Sequence, residues 1–203
     1  MVSVALAAAI GIVVGASAGY FGGSVDETLM RTSEAFLIIP IFLIILVAAK
    51  VFFALGPSTS MSKLLIITLL IGFFRWPDIA KVTRAEFLRL KESDFVEAAR
   101  CLGASDISII FRHIFPNMLP TIIVVSTLRI ATAILMEASI SFLGFGDPTS
   151  VSWGQMISIA THFMVQAPWA AIAPGLAIFV TVLGFNLTGE GLNDALNPRM
   201  REL

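Results

Sequence analysis

Long apolar runs separated by short polar ones make up this chain. Five runs have the roughly 20-residue length that a helix needs to cross the hydrocarbon core of a bilayer. They cover approximately residues 2 to 20, 35 to 55, 62 to 80, 118 to 140 and 168 to 189. A further apolar stretch, "SWGQMISIATHFMVQAPW", is interrupted by Gly, Gln, His and Pro, and is read as lying at the interface or folded partly back into the protein. The first run has no basic segment before it and is read as a retained span, not a cleaved leader. The pattern predicts an all-α membrane protein forming one transmembrane domain over 1–203, with a charged loop at 81–117 inside it.

That loop has a helical pattern of its own. Phe95, Ala98, Ala99 and Leu102 follow the i, i+3, i+4, i+7 spacing of one helix face, and Lys91, Asp94 and Glu97 recur every third residue. Gly103 is placed to end this helix as a left-handed cap. Ser105 or Asp106 can cap a second helix, "DISIIFRHIFP", whose stripe is Ile107, Ile110, Phe111 and Ile114. Pro116 and Pro120 bracket the entry to the fourth span. The unit predicted is helix, tight turn, helix, membrane. It could lie on the lipid surface, but alternating acidic and basic positions and a stripe built around two alanines suit a protein groove better.

Composition agrees with a bilayer location: 57% of the 203 residues are hydrophobic and 13% charged, and the mean hydropathy is +0.93. A net charge of −1 argues against a nucleic-acid partner. Five spans place segments 21–34, 81–117 and 190–203 on one side. Arg31, Arg75, Lys81, Arg84, Arg89, Lys91, Arg100, Arg112, Arg199 and Arg201 fall on that side or at its span ends, against Lys50 and Lys63 opposite. The positive-inside rule then makes the central loop and the C-terminus cytoplasmic, where Cys101 would remain a free thiol.

Gly11, Gly15 and Gly19, with Ala7 before them, leave one face of the first span almost bare, so another helix can approach it closely. Pro40 and Pro174 remove backbone donors inside spans and predict bent helices. Arg129 and Glu137 are charges within the fourth span. Eight residues apart, they point about 80° from each other around a helix and can face one lumen. The alternative is that Arg129 pairs with another helix and Glu137 sits near the external end. There is no phosphate-binding Gly-rich loop, no nucleophile constellation and no metal-ligand array, so no enzyme role and no cofactor are expected in this chain.

Several segments resemble a known family. Glu97-Ala98-Ala99, three residues, Gly103, nine residues, then His113 and Phe115 where the general pattern has Ile and Leu, and Pro116, are similar to the Glu-Ala-Ala loop of membrane subunits of ATP-binding-cassette importers. "RHIFPN" resembles the form of the dipeptide, oligopeptide and nickel permease subgroup. So do "AGYFGGSVDETLMR" at 18–31, "EASISFLGFG" at 137–146, "SWGQM" at 152–156, "APW" at 167–169 and "FNLTGEGLNDALNPR" at 185–199. Members of that subgroup usually have one more span before the point where this chain begins.

The resemblance implies a five-helix importer permease core with a cytoplasmic coupling helix, located in the cell membrane. Implied partners are cytoplasmic ATPase subunits, which would bind the ATP, a second homologous permease and an extracytoplasmic solute-binding protein. Phe95, Ala98, Ala99 and Leu102 would dock the ATPase, Glu97 would pair with one of its basic residues, and Gly103 would permit the turn. Dipeptides or oligopeptides are the implied cargo. Nickel or another small solute is the alternative, and a secondary transporter or channel is the alternative of another class.

Overall fold

The computed structural model describes residues 1–54, 63–147 and 150–196. Its elements are α1 (Val2–Phe21), α2 (Gly23–Ile38), α3 (Ile41–Ala54), α4 (Lys63–Phe74), α5 (Trp76–Lys91), α6 (Asp94–Cys101), α7 (Asp106–Phe145), α8 (Trp153–Ala160) and α9 (Trp169–Leu196). Among the described residues there is no strand. The outer ends of the expected second and third spans, residues 55 and 62, and the basic residues Arg199 and Arg201 lie outside the described residues.

Among the described residues three helices, α1, α7 and α9, are long and apolar enough to cross a membrane, and α2 with α3 makes a fourth if that bent pair is one span. The second expected span is broken by its proline. Pro40 disfavours helical geometry at the preceding residue, so Ile39 is extended (φ −84°, ψ 133°) and α3 leaves α2 at 80°. Pro174, in contrast, sits inside α9 without interrupting it. The third expected span is two helices instead of one. Pro77 can neither donate to the preceding turn nor avoid its carbonyl, so α4 stops at Phe74 and α5 begins anew at Trp76, with the proline in its first turn. Helix α5 then continues through the charged sequence to Lys91, ten residues beyond the point where the polar loop was expected to begin.

The bare face of α1 receives α5. A Cβ added at Gly11 would meet Ile79 and the Trp76 carbonyl, at Gly15 the Ala80 carbonyl and Thr83, and at Gly19 Phe87 and the Arg84 carbonyl. Contact positions rise together in both helices, so α1 and α5 run parallel. Gly72 brings α4 equally close to the Ser3 carbonyl. The buried residues Trp76, Ile79, Ala80, Thr83, Phe87 and Leu90 give α5 an inward stripe beneath its charges.

Two apolar cores form at opposite ends of α7, a helix of 40 residues and therefore about 60 Å. One joins Tyr20, Phe87, Leu90, Val96, Ala99, Ile109, Ile114, Met118 and Ile122. The other joins Ile45 and Ala49 of α3, Ile67, Leu70 and Ile71 of α4, and Ile140. Helix α8, at eight residues, is too short to cross a bilayer, and Gly154 seats it against the Ala138 carbonyl.

Candidate functional site

Helix α6, a tight turn and the start of α7 form the predicted hairpin. Gly103 adopts φ +83°; its N–H donates to the Arg100 carbonyl at 2.9 Å and that of Ala104 to the Ala99 carbonyl at 3.0 Å. This pair of bonds is the Schellman arrangement that satisfies the end of a helix. Of the two candidate caps for the next helix, Ser105 accepts from the Ser108 N–H at 3.4 Å. No break follows at the two prolines: Pro116 and Pro120 are carried within α7, whose backbone leaves helical geometry only near its far end, at Gly144 (φ 88°, ψ 7°).

The faces differ from the expected stripes. Phe95, Ala98 and Leu102 are exposed, Leu102 by 89%, but Ala99 is only 8% exposed and turns inward with Val96. Ala99 therefore belongs to the inner packing and not to an accessible docking face. The inner side needs a small residue there because Leu90, Ile109 and Tyr20 already crowd that core. Of the expected stripe Ile107, Ile110, Phe111 and Ile114, Ile114 is buried and Ile110 packs against the core, while Ile109, outside the stripe, is fully buried. Residues Ile109–Ile114 form a π-turn, in which positions five apart align. Ile107 (71%) and Phe111 (64%) are left exposed. Glu97 and Gly103 are exposed as well. Glu97 lines an open surface groove of about 570 Å³ with Lys91, Glu92, Arg100 and Cys101. This hairpin presents separate apolar side chains beside a groove of mixed charge.

Arg129 and Glu137 occupy different surroundings. Arg129 forms an ion pair with Asp78 at 3.3 Å, and the same Asp78 oxygen receives Arg75, also at 3.3 Å. Arg75 additionally reaches the Thr132 hydroxyl at 3.3 Å. Two guanidinium groups thus share one carboxylate, leaving one positive charge in excess. Arg75 stands at the α4–α5 break and Asp78 in the first turn of α5, both within the stretch 62 to 80 that reads as one apolar span. Glu137 accepts from the Ser141 hydroxyl at 2.6 Å. It lines a cavity of about 370 Å³ with Thr68, Ser152, Trp153 and Met156 among others. Arg129 lines a much smaller void of about 10 Å³ with Arg75, Val4 and Ile79. Ser3, Ile71 and Ala133 border both spaces, so the two charges stand on neighbouring cavities along one face of α7.

A second cluster gathers charge between α2 and α5. Arg84 makes a bidentate ion pair with Asp26, and its guanidinium holds the Asp26 carboxyl below the ordinary carboxylate range. At the end of α1, the Tyr20 hydroxyl donates to Asp106 and Lys91 donates to the Tyr20 carbonyl. Nothing in the spacing of these residues announces the contact, since 86 positions separate Tyr20 from Asp106.

Sequence comparisons agree with this architecture. The family model for the binding-protein-dependent transport system inner membrane component matches residues 11–202. A glutathione transport system permease protein, GsiD, of Escherichia coli O6:K15:H31 is 42% identical over 200 residues, covering 98% of this chain and 63% of the relative. Its counterpart in Pectobacterium atrosepticum is 40% identical over 200 residues, covering 98% of this chain and 64% of the relative. A Brucella suis protein named as a peptide transport system permease is 41% identical over 197 residues, covering 97% and 64%. The chain therefore spans less than two thirds of the length of these relatives. With apolar helices of membrane-crossing length and a family match over nearly its whole extent, this chain is a multi-pass membrane protein that belongs to the family of binding-protein-dependent transport system inner membrane components.

Proposed function

We infer that this chain is the permease subunit of an ATP-driven importer of small peptides. One observation carries the reading: a hairpin with exposed Phe95, Leu102, Ile107 and Phe111 leads into helix α7, which runs on helically as far as Gly144. Displacement of a partner seated on that hairpin is transmitted along a continuous rod. The partner is a cytoplasmic ATPase subunit, which supplies the nucleotide site and places the hairpin and the C-terminus on the cytoplasmic side. Glu97 meets a basic residue at the edge of its groove, and Phe95, Ala98 and Leu102 fill the groove itself. Gly103 keeps the turn tight.

A second, similar permease completes the pathway, and an extracytoplasmic binding protein delivers the solute. The names of the relatives, which mention glutathione and peptides, support a short peptide as cargo. Arg129 and Glu137 face that pathway. They lie eight residues apart, or about 12 Å along α7, and offer opposite charges to a zwitterionic solute.

The test is reconstitution of the chain with its partner subunits in liposomes. Co-purification of the ATPase and uptake of labelled glutathione or trialanine are compared for wild type, Glu97→Lys and Gly103→Asp. Loss of the ATPase from both variants, with membrane insertion intact, is the expected result. Uptake by wild type with no ATPase bound, or silent variants, would sink the reading and favour a secondary transporter.

A further inference from the structure

We propose that Tyr20 is a positioning residue that ties α1 to the coupling hairpin, so that α1 follows the hairpin when it is pulled as well as when it is pushed. The inference rests on the importer reading above.

The geometry is specific. Tyr20 stands one residue before the end of α1 and is 7% exposed, with its ring packed among Phe87, Leu90, Val96, Ala99, Ile109 and Ile114. The other members of that core come from α5, α6 and α7, so Tyr20 shares one buried cluster with the hairpin and its root. The phenol donates to Asp106 Oδ1 at 2.5 Å. Asp106 is the first residue of α7, directly after the Gly103 turn and the Ser105 cap. Lys91, the last residue of α5, donates its Nζ to the Tyr20 carbonyl at 2.5 Å and stands 5.4 Å from the centre of the ring.

Chemistry separates the two kinds of contact. Apolar packing resists compression strongly, whereas its resistance to separation, from burial and dispersion, is non-directional and tolerates sliding. A hydroxyl bonded to a carboxylate is short, directional and charge-assisted, and it opposes separation. Helix α7 needs no such bond, because it continues the hairpin covalently. Helix α1 is joined at its end to α2 and is separated from the hairpin along the chain by α2, α3, α4 and α5. The glycine face holds α1 to α5 along its length, and Tyr20 holds its tip to the moving part. An importer cycle includes a stroke in each direction, so the return stroke is the one that requires the bond.

Tyr20→Phe removes the hydroxyl and keeps the ring, while Asp106 is exposed and can be hydrated in its absence. Fold and docking surface are therefore preserved. The experiment uses the full complex in proteoliposomes, with glutathione and trialanine as labelled probes. It reads ATPase retention, ATP hydrolysis and solute moved per ATP.

Tyr20→Phe and Asp106→Ala are expected to keep the ATPase and to hydrolyse ATP, yet to move about five-fold less solute per ATP or lower still, the lower end of ordinary coupling between sites. Asp106→Asn, which retains an acceptor oxygen but loses the charge, falls between wild type and Asp106→Ala. As a second readout, spin labels at Ser24 and Ser108 in a Cys101→Ser background give one narrow distance in the parent and a broadened one in Tyr20→Phe.

Unchanged solute per ATP in Tyr20→Phe overturns the tie, as does a loss that merely follows ATPase dissociation, because that would make Tyr20 a support of the docking surface. A wild-type chain that holds no ATPase overturns the importer reading and the tie together. The distance measurement on the permease alone then shows whether the contact exists.

Discussion

Replacing Gly15 by alanine tests the packing of α1 on α5 at its tightest point. The new Cβ would lie 2.3 Å from the Ala80 carbonyl oxygen, 2.7 Å from Thr83 Cβ and 3.0 Å from the Arg84 nitrogen. Two of these are backbone atoms that cannot turn aside, so the helices must part by about 1 Å to restore ordinary contact. A gap of that size forfeits up to about half of the attraction of each atom pair, itself about 0.1–0.2 kcal/mol. Over a few tens of pairs along the seam the loss is about 2–3 kcal/mol, within the usual range for overpacking.

Alanine also has the better helix propensity, by about 1 kcal/mol, which offsets part of the loss. Gly184→Ala in α9 supplies the control, because a Cβ there meets nothing within 4 Å and only the propensity term operates. The difference between the two variants isolates the clash at about 2–3 kcal/mol. Unfolding of the purified chain in mixed micelles with rising dodecyl sulfate measures it, followed by tryptophan fluorescence. Trp76 is buried at the start of the seam and reports on it directly. Equal midpoints for the two variants would refute the close approach of α1 and α5.

Three other outcomes follow from the structure. Gly103→Val should cost about 1–2 kcal/mol from backbone strain alone, since φ is +83° and no atom lies within reach of a new Cβ; Gly103→Asn should cost less, and hydrogen exchange at the Ala104 amide reads both. Asp78→Asn leaves Arg75 and Arg129 facing each other without their shared anion, so it should destabilise the detergent-solubilised chain by about 1–3 kcal/mol. Arg75→Gln should cost less in the same micelle titration, and the reverse order would discard the triad. Asp26, in the polar first turn of α2, has its pKa lowered from 3.8 first by the Arg84 hydrogen bond; a depressed pKa stabilises fully above the unfolded value and is lost as pH falls through the folded one. A spin label at Met30 should be equally immobile between about pH 5 and 8 and loosen only below about pH 4. Loosening already at pH 6 would point to another group.

What the sequence disclosed depended on whether one helix or two were needed to see it. The glycines of α1 and the cap at Gly103 are local signals, and both lie where the pattern placed them. The partner of the glycine face was concealed, because Asp78, Lys81, Arg84, Glu86 and Arg89 gave α5 the look of a polar loop. Its buried stripe of Trp76, Ala80, Thr83, Phe87 and Leu90 was nevertheless present at helical spacing. The inner face of the hairpin departs from the sequence pattern for two reasons. Val96, next to Phe95, takes the position that the alanine stripe was assigned, and the π-turn at Ile109–Ile114 shifts the period from 3.6 residues towards five. The sharing of Asp78 by Arg75 and Arg129 and the bond from Tyr20 to Asp106 join segments 51 and 86 residues apart, for which a single chain offers no local pattern.

These contacts divide the helices by how firmly they are held. Backbone-to-backbone approach at Gly11, Gly15, Gly19 and Gly72 fixes α1 to α4 and α5, and the Tyr20 core joins that pair to the root of α7. Helix α9 is different: of its 28 residues only Pro174, Ile178 and Gly189 are buried. A Cβ at Gly189 would meet the Leu128 side chain, which can turn away, and Gly175, Gly184 and Gly191 meet nothing. Rigid packing transmits displacement, whereas a helix with flexible contacts can slide without costing much free energy. In the importer reading, a stroke at the hairpin should move α1, α4, α5 and α7 as one body while α9 stays with whatever surrounds it. Disulfides test this division. One joining α1 to α5 should leave transport intact, and one joining α7 to α9 should arrest it; arrest by both would mean that the moving body is drawn in the wrong place.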